Sequence, residues 1–387
     1  MRGLLLALLL LAQAVAEPAW VERRGTELVA EGRPLIVKGM CLGNWFVPEG
    51  YMFGFEKAVS PRQIQQVTAE LLGPAGSRRW WEAWYDRYVT PRDLELLSKL
   101  GFNCVRVPLH HALCDEAHLA RVDRLVAECR RLNMWVLLDL HAAPGGQTGE
   151  NIDDGWGYPW LFESEESQVE CVDLWVRLAR RYRDEPTVLG YELLNEPIPN
   201  FPEYALLEPR LEPFYRRATA AIREVDRRHL VVLDGAEWAA DFSVFGPPFD
   251  EGLVYGFHRY WSDPSPAGIQ PYVEFRARHG VPVLMTESGE NKDEWIATFR
   301  GTLEGARVGW CFWPYKKLLS ASCVVSVQPP PGWDAVKTYA DACGLTSKEK
   351  RALRPAGARE TLDQLLDNVE LSRCRLNPGY VQALLRD

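Results

Sequence analysis

The chain has 387 residues, is 47% hydrophobic and 25% charged, and carries a formal net charge of −9. This is ordinary globular composition with length for a large core. The acidic balance and the lack of a long basic run argue against a nucleic-acid-binding surface.

The N-terminal stretch MRGLLLALLLLAQAVA opens with Arg2, continues with an apolar run from Gly3 to Leu11 and ends in Ala14-Val15-Ala16. That is the pattern of a signal peptide cleaved after Ala16. The run is well short of the roughly 20 residues a membrane span needs, so no membrane anchor is expected. The chain reads as secreted or periplasmic. Export permits disulfides. Nine cysteines follow: Cys41, Cys104, Cys114, Cys129, Cys171, Cys311, Cys323, Cys343 and Cys374. An odd count leaves at least one thiol unpaired in a monomer, the state expected here, and none of the nine sits at a zinc-binding spacing. Cys104 and Cys311 read as small core residues, and a bridge among the last three would staple the C-terminal tail.

Eight short apolar runs recur in chain order: residues 35–40, 102–108, 134–141, 188–196, 230–235, 253–260, 281–287 and 308–313. Continuous apolar runs of this kind suit parallel strands buried on both faces. Helical periodicity lies between most of them, at 91–101, 119–132, 169–182, 214–225 and 295–303. Strand–helix alternation repeated eight times predicts a (β/α)8 barrel, an α/β fold. An open doubly wound sheet is the alternative, and no GxGxxG follows any strand to support it. Residues 17–387 read as one catalytic domain that includes a tail from about residue 318.

Active sites of such barrels lie at the C-terminal ends of the strands. Here those ends are polar or aromatic. Arg106 leaves the second strand and is followed by His110 and His111. Asp139 and His141 leave the third, Asn195 and Glu196 the fourth, His258 and Tyr260 the sixth, Glu287 the seventh and Trp313 the eighth. Burying such groups without partners costs several kcal/mol each, so their convergence on one rim points to a site. Two of them are glutamates, and glycosidic cleavage uses a pair of carboxyl groups. Glu192 and Glu196 are four apart, on one face of an ideal strand. Glu192 then lies lower, as a hydrogen-bonded structural acid, and Glu196 reaches the rim.

In this arrangement the chain resembles family 5 of the glycoside hydrolases, retaining β-glycanases of the eight-stranded barrel type, from about Leu35 to Tyr315. The resemblance rests on Arg106, His141, Asn195 with Glu196, His258 with Tyr260, Glu287 and Trp313, each at a strand exit. It implies Glu196 as general acid/base and Glu287 as nucleophile, with Arg106 and Tyr260 as the nucleophile's neighbours. Asn195 would hold the sugar 2-hydroxyl, His141 and His258 would bind hydroxyls, and Trp313 would form a platform under the ring. The segment CLGNWFVPEG (41–50) resembles the exo-acting β-1,3-glucanases of the family, which implies Trp45 and Glu49 as further substrate-binding residues. Trp156, Tyr158 and Trp160 are candidates for a cleft wall, and Glu290 is expected to start the helix after strand seven.

The implied partner is a β-linked oligo- or polysaccharide. A β-glucan hydrolase leads, with exo action on β-1,3-glucan one form of it. An endo-acting β-1,4-glucanase, a β-mannanase and a hydrolase of another β-glycoside stay open, as does a non-catalytic sugar-binding barrel. No cofactor is implied, and neither HxH nor HExxH occurs to suggest a metal.

Overall fold

The computed structural model describes residues 18–342 and 344–385. Eight parallel strands close into a barrel: β1 (Lys38–Cys41), β2 (Cys104–His110), β3 (Trp135–Ala142), β4 (Val188–Glu192), β5 (Leu230–Asp234), β6 (Leu253–His258), β7 (Val283–Glu287) and β8 (Gly309–Phe312). Each pairs with its neighbour in sequence, and β8 closes onto β1. The predicted barrel is therefore the observed one, with every predicted strand present. The fourth is shorter than the apolar run suggests: it ends at Glu192, and Glu196 lies beyond it in a left-handed conformation at φ 47°.

The alternation of side chains along each strand divides the core in two. In β3, Val136, Leu138 and Leu140 pack outward against the helices, while Trp135 and Leu137 point inward. The inner cluster continues with Cys104, Val232, Val254, Leu284 and Cys311. Its floor is plugged by Val21 and Leu28, which come from an antiparallel meander of Val21–Arg24, Glu27–Ala30 and Arg33–Leu35. Continuing the same alternation upward places Arg106, Asp139 and Asp234 above this apolar layer.

All five predicted helices form, among them Pro91–Leu100, Glu116–Arg131 and Glu165–Tyr182. The first shows why. Thr90 and Asp93 form a capping box, Pro91 opens the helix, and Gly101 ends it at φ 105°. Helices at Pro61–Leu72, Pro74–Arg87 and Pro266–His279 were not foreseen.

The C-terminal segment packs onto the barrel. Trp333, Leu362, Leu365, Val369, Tyr380 and Leu384 belong to the same apolar cluster as the helices around the strands. Lys316 is fully buried and joins the parts. Its ammonium pairs with Asp93 at 2.8 Å and donates to the carbonyls of Tyr88 at 2.6 Å and Val369 at 2.8 Å. The expected staple among Cys323, Cys343 and Cys374 does not form between its two described members: Cys323 and Cys374 are both free thiols. Cys343 and the signal sequence lie outside the described residues. Among the described residues no helix is long and apolar enough to cross a membrane.

Candidate active site

A cleft of about 640 Å³ opens over the C-terminal ends of the strands, within the size range of small-ligand sites. Glu196, Glu287, His141, His258, Tyr260, Trp313 and Glu49 all line it. Beneath its floor lies Arg106, fully buried and held by carboxylates on three sides. It donates from Nε and Nη2 to Glu192 at 2.8 and 2.7 Å, and from Nη1 to Glu287 at 2.6 Å. Nη2 also reaches Asn195 Oδ1 at 2.6 Å and pairs with Asp139 at 3.0 Å. A guanidinium is suited to this place because its planar fork carries five donors in fixed directions.

Glu287 reaches the cleft through a break in the strand. Val283 and Met285 face the helices, and strict alternation would send Glu287 after them. The register between β6 and β7 slips between Met285 and Glu287, which turns the carboxylate inward. Its Oε2 accepts from Arg106 and its Oε1 from the Tyr260 hydroxyl at 2.7 Å. Burial pushes its pKa up, and the charge of Arg106 opposes this. Arg106 has no acceptor to offer a protonated carboxyl, so this pairing favours the anion.

Glu196 has different surroundings. It makes no contact with Arg106; its Oε1 lies 2.8 Å from His258 Nδ1. Burial pushes its pKa up to about 8, with Arg106 pulling the other way. Its side chain is still 13% exposed to the cleft. An oxygen of Glu196, an oxygen of Glu287 and a ring nitrogen of His258 all lie within 4.8 Å of one another. The two imidazoles are neutral: burial lowers His141 to about 3 and His258 to about 4.

Trp313 lies flat against His141, ring centroids 5.5 Å apart and planes 4° from parallel. Its indole N–H donates to the Tyr51 hydroxyl at 2.7 Å. Gly43 makes room for it, because a Cβ there would stand 2.3 Å from the indole. Glu49 accepts from Asn151 Nδ2 at 2.7 Å, and Glu290 pairs with Lys317 beside Tyr51.

Clusters with cation-ligand spacing occur at Glu196, His258 and Glu287, at Glu192, Asp234 and His258, and at His110, His111 and Asp154. In the last, His110 Nδ1 accepts the Ala112 amide. Its proton therefore sits on Nε2, which faces Asp154 at 3.2 Å. That is a hydrogen bond of a neutral histidine rather than a free metal ligand.

The sequence profile described as Cellulase (glycosyl hydrolase family 5) matches residues 62–318. The chain belongs to glycosyl hydrolase family 5. It is 31% identical over 291 residues to a β-xylosidase from Phanerodontia chrysosporium, across 72% of this chain and 59% of that protein. It is 27% identical over 232 residues to a probable glucan 1,3-β-glucosidase A from Aspergillus niger, across 57% of this chain and 55% of that protein. The chain thus spans a little over half the length of these two relatives. Among solved structures, an endogalactoceramidase shares the fold with a TM-score of 0.63 at 19% identity, covering 95% of this chain and 85% of that one.

In this family 5 chain, the residues that the resemblance implies for the site are brought together with one exception. Trp45 is not in the cleft. It is buried at 2% exposure, stacks on Phe46 and donates to the carbonyl of Tyr85 at 2.9 Å. Preceded by Asn44 at φ 68°, it turns into the helix layer, so it is a core residue rather than a sugar contact. Arg106 and Asn195, both fully buried, lie under the floor rather than along the wall. Asn195 Nδ2 is 3.5 Å from His141 Nε2.

Two further readings are corrected. Trp156, Tyr158 and Trp160 stay out of the cleft, Trp156 lying under the Arg62 guanidinium at 3.9 Å. From that loop Asn151 and Ile152 reach the cleft instead. Glu290 does not start a helix, which begins at Asp293; it sits in the cleft wall. Tyr51, Asn200, Glu237, Trp238 and Trp261 also line the cleft and were not foreseen.

Proposed function

We propose that the protein is a retaining, exo-acting β-glycosidase, with Glu287 as nucleophile and Glu196 as general acid/base. The observation that carries the reading is the carboxylate pair, with oxygens within 4.8 Å. Retaining enzymes hold the two carboxyl groups roughly 5–5.5 Å apart, and inverting enzymes leave roughly 6.5–9.5 Å for a water. The environments of the pair diverge as the two roles require.

In the first step Glu287 attacks the anomeric carbon while Glu196 gives its proton to the leaving oxygen. A glycosyl–enzyme ester forms and the aglycone departs. In the second, Glu196 takes a proton from water as that water attacks the same carbon, and Glu287 leaves as the carboxylate. Arg106 and Tyr260 hold the nucleophile's two oxygens throughout, so little reorganisation accompanies the change in its charge.

Barrel order supports a division of the cleft into two ends. Glu196 follows β4 and Glu287 closes β7. Trp313, Tyr51, Glu49, Asn151 and His141 lie on the arc through β8, β1 and β3. Trp238 and Trp261 lie on the arc past β5 and β6. The flat face of Trp313 beside His141 suits the sugar being cleaved, which leaves the other arc for the aglycone. Beyond Trp313 the glycone arc carries Glu49 bonded to Asn151 and Glu290 paired with Lys317. Such a polar wall supports binding of a terminal sugar, and hence the exo mode. The relatives' names offer xylose and glucose as candidate glycones, and a β-1,3-glucan as one polymer. The N-terminal pattern supports export.

Early products from β-1,3-gluco-, β-1,4-gluco- and β-1,4-xylo-oligosaccharides test this, with Glu287→Ala as control. Proton NMR of the first product distinguishes the anomers. Single sugars released as the β-anomer are expected. An initial α-anomer would overturn the retaining reading, and mixed oligomers would overturn the exo one.

A further inference from the structure

Asp234 has no part in the reading above, yet it is a fully buried acid directly under the acid/base pair. Its Oδ2 lies 3.4 Å from His258 Nε2 and 3.4 Å from the amide nitrogen of Glu196. Its Oδ1 accepts from the Thr286 hydroxyl at 3.1 Å. Gly256, on the neighbouring strand, is what admits it: a Cβ there would stand 2.0 Å from Oδ1. The imidazole of His258 thus lies between the two acids, bonded to Glu196 at Nδ1, while its buried Nε2 has no hydrogen-bond partner among the described residues and Asp234 stands 3.4 Å away.

The charges around it decide its protonation. Asp139, Glu192 and Glu287 each pair with Arg106. Asp234 and Glu196 do not. Asp234 is left with a hydroxyl and a long amide contact while lying beside Glu192 of the neighbouring strand, an oxygen of each within 4.8 Å of the other. Burial and the charge of Glu192 hold its pKa well above the usual carboxylate range, against the pull of Arg106. A carboxylic acid kept neutral by an apolar, anion-rich site becomes a hydrogen-bond donor.

We propose that Asp234 is a positioning residue which, as the neutral acid, donates to His258 Nε2 and fixes the Nδ1–H tautomer. The other ring nitrogen of a histidine decides where its proton sits. With Asp234 protonated, His258 Nδ1–H donates to Glu196 Oε1. The catalytic proton then stays on Glu196 Oε2, free for the leaving oxygen. With Asp234 ionised, Nε2–H would turn to Asp234. Nδ1 would become an acceptor and draw the Glu196 proton onto Oε1, away from the substrate. The second state holds one proton fewer, the one Asp234 gives up to solvent; His258 stays neutral in both, and its own proton moves from Nδ1 to Nε2. The proposal rests on Glu196 as the acid.

The test begins with the wild-type enzyme. Nitrogen-15 NMR of histidine-labelled protein reads the His258 tautomer directly, with His258→Gln giving the assignment. A neutral ring with its proton on Nδ1 is the expected result. A proton on Nε2, or a cationic ring, overturns the proposal. Kinetics then follow with Asp234→Asn and Asp234→Leu. The Asn amide can still donate to Nε2 and should stay within about threefold of wild type for a simple alkyl β-glycoside. Leu cannot donate and should lose tenfold or more on that substrate, but little on a dinitrophenyl β-glycoside, whose leaving group needs no proton. Equal losses for both variants, or equal losses on both substrates, overturn it. Should Glu196→Gln leave alkyl glycosides unaffected, the acid assignment itself has failed, and this proposal with it.

Discussion

The raised pKa of Glu196 sets a measurable pH limit. An acid at about 8 is roughly nine-tenths protonated at pH 7, whereas an ordinary glutamic acid near 4.3 would be protonated to only a few parts per thousand. The environment of Glu196 therefore raises the competent fraction by a few hundredfold at neutrality. For alkyl glycosides kcat/KM should be flat through pH 7 and fall tenfold per unit above about 8, where the proton is lost. Dinitrophenyl glycosides should lack that limb, because glycosylation no longer needs the proton. Glu196→Gln should lower the alkyl glycoside rate by about 10²–10⁴, the usual contribution of general acid–base catalysis. It should leave glycosylation by dinitrophenyl substrates nearly intact. Paired pH profiles of the two substrate classes make the measurement. A basic limb near pH 5, or the same limb for both leaving groups, would refute the argument from burial.

Tyr260→Phe removes one of the two donors on Glu287 and should cost about 10–100-fold in kcat, the loss of one charge-assisted bond; single-turnover kinetics would show it in the glycosylation step. Trp45→Ala should destabilise the fold by about 3–5 kcal/mol, as a buried Trp truncation does, with KM unchanged in the protein that remains folded; a raised KM with unchanged denaturation midpoint would return Trp45 to the cleft. Lys316→Met leaves Asp93 buried without its cation and should cost about 3–5 kcal/mol in chemical denaturation. Lys317→Met frees Glu290 at the glycone end and should raise KM for a terminal sugar severalfold while sparing the melting temperature.

The barrel was legible because its strands are apolar on both faces and its helices carry caps and period. The polar exits were legible for the same reason: Arg, His and Glu at the end of such runs stand out. What sequence did not show is direction. Glu196, Trp238, Trp261 and Glu290 all occupy left-handed backbone, with φ of 47°, 60°, 49° and 51°. Non-glycine residues adopt that region rarely and only where the surroundings enforce it, so no local pattern announces them. Trp45 was misplaced for a like reason. Its spacing to Glu49 fits a sugar contact, but the left-handed turn at Asn44 sends it to Phe46 and Tyr85. Glu287 lies at the rim, as a charged residue ending an apolar run suggests, although strand parity alone would bury it among the helices.

The arrangement of charge under the cleft connects these points. One guanidinium stands against Asp139, Glu192 and Glu287, while Glu196 and Asp234 are left off it. Were Arg106 to contact all five acids alike, none would be distinguished. By pairing with Glu287 from below and leaving Glu196 to a neutral imidazole, the barrel gives two chemically identical side chains different surroundings in the same small volume. That difference comes from the geometry of a planar donor fork fixed by β2 and from a register slip in β7. Such a difference is what the proposed division of work between acid and nucleophile would need from two glutamates in distant stretches of sequence.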